Sequence, residues 1–245
     1  MLRLLRILAT ALITSGLVVA VDVGLTLAWE EPLSNLYATV QQNQAEDELE
    51  ELQRAFPEAA DFDAVAGAGS LEERVSGLAD RFDASDRVAA GNAIGEIEIP
   101  AIDVNKTIVE GTDTSSLQKG PGHYTRSDNE ATQRLGDGSA FPGQGETVGI
   151  AGHRTTYGAP FNRINELDPG DEITLDMPYA TFTYEVQKVE IVEPNEIDVV
   201  RNVGYERLVL SACHPLYSAA QRIITFAKLK EISLFGSGER IWQDP

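Results

Sequence analysis

The chain has 245 residues, enough for one or two domains with a real core. Its formal net charge is −20, from 39 acidic against 19 basic residues. That balance argues against nucleic acid, whose phosphates need a surplus of cations, and against a polybasic membrane-surface mode. One cysteine, Cys213, allows no internal disulfide and no thiolate metal cage.

The N-terminus places Arg3 and Arg6 before an uncharged run from Ile7 to Val21, interrupted by Asp22 and resumed from Val23 to Trp29. Such a run makes a helix of about 22 Å, short of the roughly 30 Å hydrocarbon core. Two readings compete. A signal peptide needs a small-x-small cleavage site, and Thr26-Leu27-Ala28 is a poor one. An uncleaved anchor over residues 1–29 needs the arginines to snorkel inward, with Asp22 near the outer interface. The anchor is favoured, and positive-inside bias then puts the rest of the chain outside the cytoplasm.

Residues 30–91 are rich in Ala, Glu and Asp and are interrupted by Pro57 and the Gly67–Gly69 pair. Leu49, Leu52 and Phe56 have helical spacing, as do Leu71, Val75 and Leu78. We expect an acidic stalk or linker, either two short helices with a loose joint or a disordered spacer. From about Asn92 the hydrophobic period changes to two. Strand candidates are "IGEIEIP", "ETVGIAG", "DEITLD", "TFTYEVQKVEIVE", "ERLVLSAC" and "RIITFAKLK". Turn signals separate them: Pro121-Gly122, Asp137-Gly138, Pro142-Gly143, Asp168-Pro169-Gly170 and Pro194-Asn195. Only "SSLQKG" and "PFNRINEL" suit short helices. The expectation is an all-β domain over 92–235, a barrel or a sandwich, with a tail over 236–245.

Cys213 ends one strand candidate and Arg222 opens the next. If those strands are antiparallel neighbours, thiol and guanidinium share one edge of the sheet. His214 adjoins the cysteine but points to the opposite face, which makes it a poor proton partner. His153, just past the Thr147–Ala151 strand in "GIAGHRTTYGAPF", is a better one. Thiolate, imidazole and cation together suit acyl transfer. Only about 3% of an unperturbed thiol is ionised at pH 7, and a neighbouring cation would raise that fraction. Each residue also has a bland role: Cys213 as a buried small hydrophobe, His153 as a loop hydrogen-bonder, Arg222 as a surface ion pair. His123 has no chemical role on this reading. The residues alone leave the choice open.

These residues resemble the signature of sortases, membrane-anchored cysteine transpeptidases of Gram-positive envelopes. The family strand T-L-x-T-C, with a proline two residues on and an arginine beyond, is matched by Leu208-Val209-Leu210-Ser211-Ala212-Cys213, Pro215 and Arg222. "AGHRTTYGAPF" matches the family histidine at His153, and "GEIEIPAIDV" resembles the first barrel strands, so the likeness runs over about residues 92–232. "GHRTTYGAPF" and "CHPLYSAAQR" look most like class E enzymes of actinobacteria. Class C enzymes carry a D-P-aromatic lid and often a C-terminal span. Neither is seen here, although Phe62-Asp63 stands nearby.

The resemblance implies a closed sortase-type β-barrel and a nucleophile at Cys213. His153 would be general acid and base, and Arg222 would hold substrate backbone and oxyanion. Tyr124, Ala212 and Tyr217 are the substrate-binding candidates it suggests. Ala212 departs from the usual threonine before the cysteine, and slower chemistry is expected for the lost hydroxyl. The implied substrates are surface proteins with an L-P-x-T-G or L-A-x-T-G sorting signal. The implied acceptor is an amine on a peptidoglycan precursor or another protein. No cofactor is implied, although calcium could sit among Glu185, Glu190, Glu193, Glu196 and Asp198; the histidines and cysteine make no zinc pattern. Other readings are a secreted cysteine endopeptidase with the same Cys/His pair and a non-catalytic membrane-tethered binding domain. An L,D-transpeptidase would need a Ser-His-Gly before its cysteine, which is absent.

Overall fold

A computed structural model describes residues 2–29, 32–59, 69–125, 139–235 and 239–242. The expected turn at Asp137-Gly138 and the Phe62-Asp63 pair lie outside the described residues. Helices α1 (Leu2–Trp29), α2 (Pro32–Ala59) and α3 (Leu71–Asp83) come first. Strands β1 (Ala93–Ile99) and β2 (Val104–Glu110), the one-turn helix α4 (Thr114–Leu117), β3 (Gly122–His123) and β4 (Thr147–Ala151) follow. The chain continues through β5 (Glu172–Asp176), β6 (Ala180–Val192), β7 (Arg207–His214), β8 (Gln221–Leu234) and β9 (Arg240–Trp242).

The strands run in the order β6-β5-β1-β2-β3-β4-β7-β8, and pairing of β6 with β8 closes an eight-stranded barrel. β9 adds to the β8 side of the sheet over Glu231–Ser233. Inside are Ile97, Ile99, Ile150, Phe161, Ile173, Leu175, Leu208 and Leu210, all essentially without solvent contact. Closure removes the exposed sheet edges that an open sandwich of this size would have to protect.

The six strand candidates all form strands. Three others were not foreseen. β2 buries Thr107, Ile108, Val109 and Glu110 consecutively, so its period of two is lost. β3 is two residues long and takes in Gly122, which reads as a turn in sequence. β9 is three residues at the chain's end.

The segment expected as a stalk is corrected most. It is helical, but α2 lies along β1 and β2 instead of standing clear of the barrel. Ala45, Leu49, Leu52 and Phe56 form a helical stripe that joins the main core, and α3 adds Leu71, Val75, Leu78, Ala79 and Phe82. Phe56 and Phe82 meet edge to face at 5.4 Å between ring centres, and Phe82 continues to Phe141 at 5.2 Å. α3 begins at a capping box in which Ser70 and Glu73 satisfy each other's backbone N–H.

Gln42 does what a strand would do. Its amide oxygen accepts the Thr107 N–H at 3.0 Å, and its nitrogen donates to the carbonyls of Thr107 and Lys119 at 3.2 and 2.6 Å. β3 pairs with β2 only at Val109 and Glu110, so the Thr107 backbone would otherwise be buried without partners.

Leu5, Ile7, Leu8, Leu12, Ile13, Leu17, Val18, Val19 and Val21 of α1 are all exposed. Among the described residues, no helix is long and apolar enough to cross a membrane.

Candidate active site

β7 is a central strand, bonded to β4 in parallel and to β8 antiparallel. Leu208, Leu210 and Ala212 turn into the barrel core, while Val209 joins a second, outer cluster with Ile224 and Phe226. Alternation therefore puts Ser211 and Cys213 on the outer face with Val209. Across the β8 ladder, Val209 faces Phe226, Ser211 faces Ile224 and Cys213 faces Arg222. Thiol and guanidinium are direct cross-strand neighbours on one face, with Cβ atoms about 5 Å apart by the geometry of such pairs. Both residues are half-buried.

His153 arrives from the other side. β4 runs beside β7 with Gly149 opposite Val209 and Ala151 opposite Ser211. The contact continues past the strand end, because the Gly152 N–H donates to the Ser211 carbonyl at 3.0 Å. His153 lies two residues beyond the last parallel pair, Ala151–Ser211, and Cys213 lies two residues beyond it on the neighbouring strand, so a continued register would bring the two side by side. Arg154 fastens the segment there. Its guanidinium donates to the Cys213 carbonyl at 3.4 Å, to His214 Nδ1 at 2.9 Å and to Asn165 Oδ1 at 2.5 Å, and its Nε donates to the Asn162 carbonyl at 3.2 Å. An arginine can only donate, so His214 Nδ1 is the acceptor in this contact.

His153 Nε2 is buried and has no hydrogen-bond partner among the described residues. Burial lowers the pKa of His153, which favours a neutral ring at rest. Among the described residues Arg222 meets no carboxylate, and its Nη1 donates to the Ala219 and Gln221 carbonyls, at 3.0 Å each. A neutral imidazole with a vacant nitrogen, a thiol and an uncommitted guanidinium can together handle acyl transfer.

Tyr124 borders the same face, and its hydroxyl shares a 3.0 Å hydrogen bond with Ser211 Oγ. Burial raises the Tyr124 pKa, against which the Ser211 bond and the Arg222 charge act. Gly149 seats the ring, since a Cβ there would lie 2.9 Å from Tyr124 Cδ2. Ala212 is packed in the core opposite Ile223. Tyr217 is an exposed, left-handed residue (φ 64°) of the loop between β7 and β8.

His123 stays away from this chemistry. It is buried, with Nδ1 2.8 Å from Glu110 Oε2 and Nε2 3.0 Å from the Ala140 carbonyl. The five acids considered for calcium have separate partners. Lys230 pairs with Glu185 at 3.2 Å, Lys188 with Glu190 at 2.7 Å and Arg201 with Asp198 at 2.6 Å. Glu193 accepts from Gln221, and Glu196 accepts the Glu193 N–H. Among the described residues, no group of three or more His, Cys, Asp or Glu side chains is placed to hold a metal ion.

Sequence reasoning missed Arg154 and Gly149. Arg154 carried a faint signal, a cation directly after the candidate histidine in an otherwise acidic chain.

A family model for the sortase domain matches residues 97–230, more than half of the chain. The chain belongs to the sortase family of cysteine transpeptidases. Sortase D of Bacillus subtilis is 34% identical over 149 residues, covering 59% of this chain and 68% of that protein. Sortase SrtE1 of Streptomyces coelicolor is 29% identical over 153 residues, covering 58% of this chain and 41% of that longer protein. The structure of sortase E1 from Streptomyces coelicolor with a tripeptide in its active site superposes with a TM-score of 0.55 at 27% identity, covering 62% of this chain and 97% of that one. The expected likeness to class E is therefore present, together with a likeness to Sortase D.

Proposed function

We propose that this sortase cleaves an L-P-x-T-G or L-A-x-T-G sorting signal between Thr and Gly and transfers the new carboxyl end to an amine. His153 takes the Cys213 proton, the resulting thiolate attacks the Thr carbonyl, and Arg222, directly across the ladder, steadies the oxyanion and the substrate backbone. The C–N bond breaks as His153 protonates the departing Gly amine, leaving a thioester on Cys213. His153 then takes the proton from an incoming amine, the C–S bond breaks and the thiolate returns. The acceptor is a peptidoglycan precursor or another protein. Tyr124 is assigned to the second residue of the signal, since its ring lines the outer face beside Ser211.

The observation that carries this reading is the cross-strand pairing of Cys213 with Arg222, with His153 two residues past the parallel pair Ala151–Ser211 at the same end of β7. Anchoring is part of the proposal. α1 is a single helix with aliphatic side chains exposed around it, and Arg3 and Arg6 would snorkel to the cytoplasmic interface. The barrel would then lie outside the cell, where the substrates are.

The test is chromatography of L-A-x-T-G and L-P-x-T-G peptides incubated with the protein, with and without triglycine. The expected product is the ligated peptide, with Tyr124→Ala changing the preference between the two signals. Cleavage indifferent to triglycine would make the protein an endopeptidase. No cleavage by folded protein would make it a binding domain.

A further inference from the structure

The loop that carries His153 is shaped by a contact that its own sequence does not explain. From Gly152 the chain runs out to an apex and returns to bond with itself, the Phe161 N–H donating to the His153 carbonyl at 3.0 Å. At the apex three consecutive residues, Tyr157, Gly158 and Ala159, are left-handed (φ 50°, 75° and 40°). Two of them carry side chains that disfavour this conformation, and such strain persists only where the surroundings impose it. α2 supplies the surroundings. Asn35 Oδ1 accepts the Gly158 N–H at 3.1 Å, and a Cβ on Gly158 would lie 3.3 Å from the Ala38 methyl. Tyr37 meets Tyr157 edge to face at 6.3 Å, and Gln118 Nε2 donates to the Tyr157 hydroxyl at 3.1 Å. Tyr157 in turn packs on the His153 ring, with centres 5.2 Å apart and planes tilted by 40°.

We infer that Tyr157 is a positioning residue for His153, and that α2 sets it through Asn35 and Tyr37. The segment between the N-terminal helix and the barrel is then part of the active-site support, and whatever shifts α2 relative to the barrel shifts the acid–base group. The inference rests on the reading of His153 as that group.

The experiment uses the full chain with three changes: the Asn35→Ala/Tyr37→Ala pair, Tyr157→Ala and Tyr157→Phe. Peptide turnover, the melting temperature and the pH titration of the His153 ring nitrogens by NMR are read on each. The α2 pair and Tyr157→Ala are expected to lower kcat about tenfold, in line with small displacements of a reacting group, with KM changed less than about twofold. Their His153 signals should titrate closer to the free-imidazole value of about 6.5, as cover over the ring is lost. Tyr157→Phe, which keeps the ring, should recover most of kcat. A fall in melting temperature with kcat and the titration unchanged would reduce α2 to a stabilising element and overturn the inference. Wild type that turns over no sorting-signal peptide, with the His153 titration still moved by the variants, would leave the positioning intact and remove the functional reading instead.

Discussion

Cys213 and Arg222 are partners in the β7–β8 ladder, so backbone pairing alone brings thiol and guanidinium together. Arg222 makes no ion pair among the described residues and bonds only to the carbonyls of Ala219 and Gln221. Replacing it should leave the ladder intact. Arg222→Ala is expected to lower kcat by about 10²–10³, the usual cost of losing one oxyanion donor, with little change in melting temperature. Arg222→Lys should recover only part, because a point charge cannot hold two acceptors as a planar fork does. Equal kcat in Arg222→Ala and wild type would remove the arginine from the chemistry.

Arg154 ties the histidine segment to the cysteine strand from within the protein. Its donors reach Cys213, His214, Asn162 and Asn165, a spread that a lysine cannot cover. Arg154→Lys is expected to keep the charge and still lose about tenfold in kcat, through displacement of His153. Steady-state kinetics and a melting curve on the same sample check this. Full activity would mean that the backbone contact at Gly152 suffices.

Gln42 links α2 to the barrel by three hydrogen bonds to buried backbone. Gln42→Ala leaves the Thr107 N–H without a partner and should cost about 2–3 kcal/mol, read as a lower denaturation midpoint in urea. Gln42→Glu can accept from Thr107 but cannot donate to the two carbonyls, so it should also be destabilised. A chain begun near Asn92, where the strand pattern starts, would lack this support altogether. An unchanged midpoint in Gln42→Ala would contradict the docking of α2.

His123 gives a pH dependence of known sign. Burial alone would lower its pKa, but the Glu110 charge and hydrogen bond and the Ala140 carbonyl outweigh it, with Asp83 adding to them, and the net shift is upward. A folded pKa above the unfolded value of about 6.5 means stability that is full below 6.5 and lost as pH rises through the folded value. The stability difference between wild type and His123→Gln should therefore be larger at about pH 6 than at about pH 9. A difference independent of pH would show that the ring is never protonated in the folded protein.

Much of this was legible in the sequence where a side chain's neighbours were set by pattern. The alternation in "ERLVLSAC" and "RIITFAKLK" led to two strands, and their order along the chain led to the Cys213–Arg222 pair. β2 was hidden because Thr107 to Glu110 are all buried, and β3 because Pro121-Gly122 is equally good turn chemistry. The helical spacing of Leu49, Leu52 and Phe56 was readable, but the acidic composition of residues 30–91 suggested a stalk and hid the docking of that stripe on the barrel core. Arg154, Tyr157 and Asn35 escaped because their roles depend on contacts made in space. The contact between residues 35 and 158 joins positions 123 apart in the chain, and no local spacing announces it.

Intact mass spectrometry of the full chain mixed with an L-A-x-T-G peptide tests the central claim most directly. The account predicts a covalent adduct with the mass of the peptide up to its threonine, present on wild type, absent from Cys213→Ala and released by triglycine as ligated peptide. A folded wild type that gains no mass, or an adduct that persists in Cys213→Ala, would contradict it.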